Sequence, residues 1–135
     1  MTEDIIAVRN LHPDDYDALN AVSTAAYDRA GAKVWARQQI GKLVDLFPEG
    51  QLCVTVGDRP VAFALSMIVS YAQFGDAHSF AEITDQRRFS NHDRQGDVLY
   101  GLDIMVDPEY RDMRLARRLY EARKELCERL NLKSI

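Results

Sequence analysis

Between Leu99 and Leu130 the sequence LYGLDIMVDPEYRDMRLARRLYEARKELCERL changes its hydrophobic period, and that change constrains everything that can surround it. Leu99, Leu102, Ile104, Met105 and Val106 form an apolar run of strand length, which Pro108 closes because proline cannot extend a sheet interior. From Leu115 the apolar residues take helical spacing, through Leu119, Ala122, Leu126 and Leu130, and so make one stripe on one face. Arg117, Arg118, Glu121, Lys124, Glu125, Glu128 and Arg129 take the opposite face, with Glu125 and Arg129 spaced for an i, i+4 ion pair. A buried strand, a charged turn and a long amphipathic helix need a sheet to receive them.

The start of that helix carries the wrong charge for stability alone. Arg111, Arg114, Arg117 and Arg118 crowd the positive pole of the helix dipole, where an exposed cation costs about 0.3–1 kcal/mol. Two explanations fit: an anion such as a phosphate docks on the free amides, or the arginines form a solvated basic face. Asp112 is the expected N-cap, which would satisfy those amides from within the chain.

The preceding chain supplies the remaining layers. Ile5 to Arg9 reads as a first strand. A helix follows, with Pro13 at its first position and Asp14 and Asp15 complementing the dipole, and with Tyr16, Leu19, Val22 and Ala26 on its inner face. Gly31 marks a break, and Trp35 to Phe47 forms a second helix stopped by Pro48. Gln51 to Val56 alternates, Gly57-Asp58-Arg59-Pro60 turns, and Val61 to Val69 is apolar at nearly every position, the pattern of a hairpin whose second strand is buried on both faces. Ala72 to Asp97 loses periodicity and reads as a long polar loop, a setting that often carries function.

With 135 residues, 47% of them hydrophobic, the chain can bury one core, and 1–135 is read as one domain. A net charge of −4 argues against general nucleic-acid binding, which needs a broad basic footprint. No apolar run approaches the roughly 20 residues of a membrane span, and the acidic start MTEDIIAVRN is unlike a secretory signal, so a cytoplasmic location is expected. Cys53 and Cys127 lack CxxC spacing and histidine partners and are expected as buried thiols; no metal-ligand spacing, dinucleotide fingerprint or Walker-type glycine run is found.

The strand, turn and helix resemble the GNAT superfamily of acyl-CoA-dependent N-acyltransferases, whose hallmark is V-x-P-x-Y-R-G-x-G-x-G/A. Val106, Pro108, Tyr110, Arg111 and Ala116 match it, while Asp112 and Arg114 stand where the family has two glycines. A longer resemblance, through VAFALSMIVSYAQFGDAHSFAEIT and the Leu99 to Leu132 stretch, is to the acetyltransferase-like domain that precedes a nitrilase-type hydrolase domain in some bacterial proteins. The resemblance implies an α/β (α+β) fold with a mixed, mostly antiparallel central sheet flanked by helices. On this pattern the C-terminal part of the fold is missing, the chain reading as truncated after the cofactor-binding helix. It implies acetyl-CoA as co-substrate and a primary amine as acceptor. It places the cofactor against the main chain of Ile104, Met105 and Val106, and its pyrophosphate on the turn of Arg111, Asp112, Met113, Arg114, Leu115 and Ala116. The alternative is a catalytically incomplete CoA-sensing or protein-interaction domain related to those attached to nitrilase-type hydrolases.

Acyl transfer to an amine also needs a proton acceptor. The candidates are Asp103, His78 and Glu82, with Asp76, His92 and Asp93 in the same polar segment. Asp103 interrupts an apolar run, so it is either catalytic or paired with an arginine such as Arg118. Strand alternation places Tyr100 on the opposite face from Asp103. The GNAT resemblance also implies a further strand from about Leu132, and its edge together with the partly uncovered helix stripe favours a homodimer.

Overall fold

The computed structural model describes residues 5–26, 34–74 and 79–134. Five strands form one sheet in sequence order: β1 (Ile6–Asn10), β2 (Leu52–Val56), β3 (Arg59–Val69), β4 (Val98–Val106) and β5 (Lys133–Ser134). The first four are joined antiparallel, and β5 lies parallel to β4, pairing Lys133 with Val98 and Ser134 with Leu99. The mixed, mostly antiparallel sheet flanked by helices is the architecture expected from the sequence.

The helices are α1 (Tyr16–Ala26), α2 (Arg37–Leu46), the single turns α3 (Tyr71–Phe74) and α4 (Phe80–Ile83), and α5 (Leu115–Leu130). On one face of the sheet, Leu19 and Val22 of α1 and Ile40 and Leu43 of α2 pack on Phe63, Leu65, Met67, Val98, Leu102 and Met105. On the other, Leu115 and Leu119 of α5 pack on Val54, Ala62, Ala64, Ile104 and Val106, and Leu126 meets Ile68 and Leu99. β3 is buried on both faces from Val61 to Val69, because a helical layer lies on each side. The same layering buries every residue of β2, so the alternation expected there gives way to burial throughout. Gly57 takes a φ of 61° at the hairpin, the left-handed geometry that glycine adopts without a Cβ penalty. Among the described residues no helix is long and apolar enough to cross a membrane.

Several local expectations are revised. Trp35 and Phe47 lie outside α2: Trp35 precedes it and Phe47 is its C-cap, yet both are fully buried. The Ala72 to Asp97 segment is more built than a loop, since Ser79 Oγ caps α4 and Ile83 and Phe89 are sunk in the core. Its chain then reverses through Asp85, Gln86, Arg87 and Phe89, all at positive φ. Gly31, Asp76 and His78 lie outside the described residues. On α5 the i, i+4 ion pair is Arg117 with Glu121, at 3.3 Å, instead of Glu125 with Arg129, and Leu130 at the end of the stripe is exposed. Cys53 and Cys127 are buried free thiols, and burial pushes the Cys53 thiol up to about 12, far from reactivity.

Candidate functional site

The turn between β4 and α5 is fixed before any ligand is considered. Asp107 follows β4, donates its N–H to Val61 O at 2.8 Å, and uses Oδ1 to accept from Glu109 N at 3.0 Å, which caps a 3-10 helix over Pro108–Met113. Arg59 reaches Asp107 at 3.7 Å and lies over the Tyr110 ring, 5.7 Å from its centroid. Pro108 supports the start of this helix because its φ is already set and its missing N–H would be unused there.

Asp112 is not the cap of α5. It sits exposed inside the 3-10 helix, and the cap position falls to Arg114, which has φ 56° and ψ 38° and makes no side-chain capping bond. The chain must turn by a left-handed residue to pass from the 3-10 helix into α5, and Arg114 occupies that position. No acidic residue lies in the first turn of α5. Met113, Arg114, Arg117, Arg118 and Glu121 line a hollow of about 350 Å³ over this helix end. An uncapped helix N-terminus beneath three guanidinium groups is suited to an anion. Arg111 is exposed on the 3-10 helix, and Leu115 is buried with Ala116 beside it half-buried.

The preceding strand carries a bulge. β3 and β4 pair Leu65 with Asp103 but Ser66 with Gly101, so Leu102 is an extra residue on β4. A bulge resets the alternation of every residue after it. Leu102 packs in the α1/α2 core, and the Asp103 carboxylate lies on that same side, where Oδ2 accepts from Trp35 Nε1 at 2.9 Å. Tyr100 packs there too, so Tyr100 and Asp103 share a face, contrary to simple alternation, and Asp103 accepts from Trp35 where a pairing with Arg118 was expected. Ile104 and Val106 turn to the α5 face while Met105 stays in the α1/α2 core.

Trp35 is enclosed by Phe89 stacked at 6.1 Å, Phe80 edge-on at 6.2 Å and Arg87 at 4.5 Å over its ring, and its carbonyl accepts from Tyr16 Oη at 2.6 Å. The Asp103 carboxylate therefore borders an aromatic and cationic cluster on the face away from the arginine hollow. The other candidate proton acceptors among the described residues are elsewhere. Glu82 is exposed on α4. Asp93 is exposed and uses Oδ1 to accept from Gln95 N at 2.8 Å. His92 is stacked on Phe47 and accepts from Ile68 N at 3.1 Å through Nδ1, a structural staple in place of the exposed histidine a polar loop suggests.

Two residues escaped the sequence reading. Trp35 was read as a helix residue, and its bond to Asp103 spans 68 positions, beyond any local pattern. Arg123 is only 9% exposed although it is charged. Its signal was available: it lies four residues after Leu119 and three before Leu126, within the apolar stripe.

Residues 7–135 match the Acetyltransferase (GNAT) family. The chain is 35% identical over 130 residues to the probable hydrolase YhcX of Bacillus subtilis (strain 168), covering 96% of this chain and 25% of that protein. It is 27% identical to the uncharacterized N-acetyltransferase YkwB of the same organism, covering 90% of this chain and 54% of that one. The chain thus spans about a quarter and about half of these two curated relatives. Among solved structures, the loading GNATL domain of CurA from Lyngbya majuscula superposes with a TM-score of 0.75 at 20% identity, over 91% of this chain and 58% of that one. The GphF GNAT-like decarboxylase, solved in complex with isobutyryl-CoA, superposes with a TM-score of 0.66 at 21% identity, over 86% and 58% of the two chains. These likenesses establish the fold.

Proposed function

This chain belongs to the Acetyltransferase (GNAT) family, and from that premise we propose that it binds acetyl-CoA at the β4–α5 turn and passes the acetyl group to a primary amine. The observation that carries the reading is the N-terminus of α5: it has no side-chain cap and no first-turn acid, and it lies under Arg114, Arg117 and Arg118. In this reading the turn from Arg111 to Ala116 holds the pyrophosphate, with helix amides and guanidinium groups sharing its charge. The main chain of Ile104, Met105 and Val106 holds the pantetheine and polarises the thioester carbonyl.

Transfer requires a neutral amine to attack that carbonyl, the new C–N bond forming as the C–S bond breaks, the amine proton leaving to a base and the coenzyme A thiolate taking up a proton from solvent to depart as the thiol. Asp103, next to Ile104 and on the face away from the arginine hollow, is the carboxylate we assign to hold the amine and take its proton.

A second reading is favoured by one observation, the 35% identity to a probable hydrolase of which this chain spans a quarter. In that reading the domain senses acyl-CoA for an attached hydrolase and does not turn it over. The left-handed Arg114, at a position where the family has glycine, fits a site retuned for binding.

Calorimetric titration with acetyl-CoA, beside Arg114→Glu, tests the shared premise. Micromolar binding is expected, weakened by about tenfold or more when the charge is reversed, an effect of roughly 1.4 kcal/mol. No heat at millimolar ligand would sink both readings. Binding without acetylation of any amine in a panel of cationic small molecules and peptide N-termini would favour the sensing domain.

A further inference from the structure

Arg123 is a guanidinium in an otherwise apolar seam between α5 and the sheet. Its Nη2 donates to Leu65 O at 2.6 Å and to Asp103 O at 3.2 Å, one carbonyl on each of the two strands that part at the bulge. A Cβ on Gly101 would stand 2.7 Å from Nη1, so the strand leaves out a side chain where the guanidinium lies. The Nε of Arg123 is buried without a hydrogen-bond partner. Burial pushes the guanidinium down from its usual value, opposed by Tyr120, Asp103 and Cys127. A charged group held this deep, with one donor unused, is an expensive way to fill space that a methionine would fill.

Its placement explains the cost. The extra Leu102 frees main-chain groups on both strands, and a bulge is unstable unless they find partners. Arg123 supplies them from the α5 side, while Trp35 grips the carboxylate of the same Asp103 from the opposite face. Asp103 is thereby fixed through its side chain and its main chain at once. Because the bulge decides which face each following residue takes, the same clamp orients Ile104, Met105 and Val106.

We infer that Arg123 is a positioning residue, which holds the β4 bulge in shape and through it aims the main chain of Ile104 to Val106 at the acyl thioester. The inference rests on the acyl-CoA reading above for its second half. Its first half, the hold on the bulge, is independent of any ligand.

The test uses Arg123→Met, Arg123→Lys and Gly101→Ala, the last of which presses on the guanidinium from the strand side without removing its charge. Amide hydrogen exchange of the ligand-free protein reads the bulge. In Arg123→Met, exchange at Leu102, Asp103 and Ile104 is expected to quicken by about tenfold or more while the β1–β2 amides keep their rates. The infrared stretch of acetyl-CoA carrying ¹³C at the thioester carbonyl reads the aim. The wild-type protein is expected to lower its frequency, Arg123→Met to return it to the solution value, and Arg123→Lys to restore part of the shift. Should Arg123→Met fail to fold, Gly101→Ala carries both readouts. Adding Gly101→Ala to Arg123→Met is expected to bring little further change, since both act on one contact.

Unchanged exchange at the three bulge amides in both Arg123→Met and Gly101→Ala would overturn the inference, and so would a carbonyl frequency as low in these two variants as in the wild type. A wild-type protein that binds no acetyl-CoA, with bulge amides that still loosen in Arg123→Met, would overturn the acyl-CoA reading and the aiming role with it, leaving the clamp standing.

Discussion

Trp35 Nε1 donates a 2.9 Å hydrogen bond to Asp103 Oδ2, tying the residue just ahead of α2 to the bulge of β4. The indole is fully buried, so its N–H has no water to fall back on. The carboxylate therefore has a structural duty whatever its chemistry, and the two must be separated by substitution.

Asp103→Ala strands the indole N–H and is expected to cost about 1–3 kcal/mol in urea unfolding, the penalty for a buried donor without its acceptor. Asp103→Asn keeps an acceptor for Trp35 and should cost less than half as much, while removing the proton acceptor. A folded Asn variant that still acetylates amines at the wild-type rate would relieve Asp103 of the chemical role and leave it the structural one.

Gln51 is the most densely used polar side chain of the core. Its Nε2 donates to Phe47 O at 2.9 Å and to Ser66 O at 2.8 Å, and its Oε1 accepts from Ser66 N at 3.0 Å. Ala64 is the last β3 residue paired with β2, through Leu52, so the Gln51 side chain continues that ladder at Ser66, where β2 has not yet begun. Gln51→Leu leaves those main-chain groups unpaired and is expected to destabilise by about 3 kcal/mol or more, since each buried orphan costs about 1–3 kcal/mol. Gln51→Glu should be intermediate. A Leu variant within about 0.5 kcal/mol of wild type, the range of an ordinary surface change, would refute this account.

How far the sequence disclosed this molecule follows from the range of each signal. The unbroken run from Val61 to Val69 and the Leu115–Leu119–Leu126 spacing are local, and they located β3 and α5 with few errors. The bulge was illegible because Leu102 lengthens the apolar run without interrupting it, and so Tyr100 and Asp103 were put on opposite faces. Asp85, Gln86, Arg87 and Arg114 take left-handed geometry without a glycine to announce it, which hid the reversal after α4 and moved the cap of α5 by two residues. The cationic start of α5 was legible, because four arginines at a helix start conflict with the dipole. The clamp behind it was not, because Arg123 and Trp35 reach β4 across 20 and 68 positions.

His92 gives the protein a mild acid sensitivity. Its Nδ1 must stay unprotonated to accept from Ile68 N, and burial, with Arg94 nearby, lowers its pKa below the ordinary value. The unfolded chain therefore takes up a proton first as pH falls through about 6.5. The stability that the neutral ring contributes is complete above that pH and is lost progressively below it, until the folded state is protonated too. Unfolding free energies measured at about pH 7.5 and about pH 5.2 should differ in that sense, in a window above the carboxylate range, where Asp15 and Glu49 remain ionised beside Arg9 and Arg94. His92→Gln keeps an acceptor without the titration, and the difference should shrink. An equal acid loss in that variant would assign the effect to other groups.

Arg114 holds a left-handed backbone at φ 56° and ψ 38° with an exposed side chain at the start of α5. An L-residue there costs about 1–2 kcal/mol, against about 0.5–1 kcal/mol that glycine surrenders through its freer unfolded chain. Removing the cation from the positive helix pole adds about 0.3–1 kcal/mol. Arg114→Gly should thus be stabilising by about 1 kcal/mol, a rise of about 3–5 °C in Tm. Arg114→Ala separates the two contributions, since it removes the charge and keeps the Cβ, and it should gain only the smaller electrostatic share. Both variants lose a guanidinium from the hollow, so acetyl-CoA affinity should fall in each, less than in Arg114→Glu. A protein that gains stability while losing ligand would show that this arginine is kept for what it binds. Equal melting temperatures for the Gly and Ala variants would mean that the strain of the left-handed turn is no larger than the about 0.5–1 kcal/mol glycine surrenders in the unfolded chain.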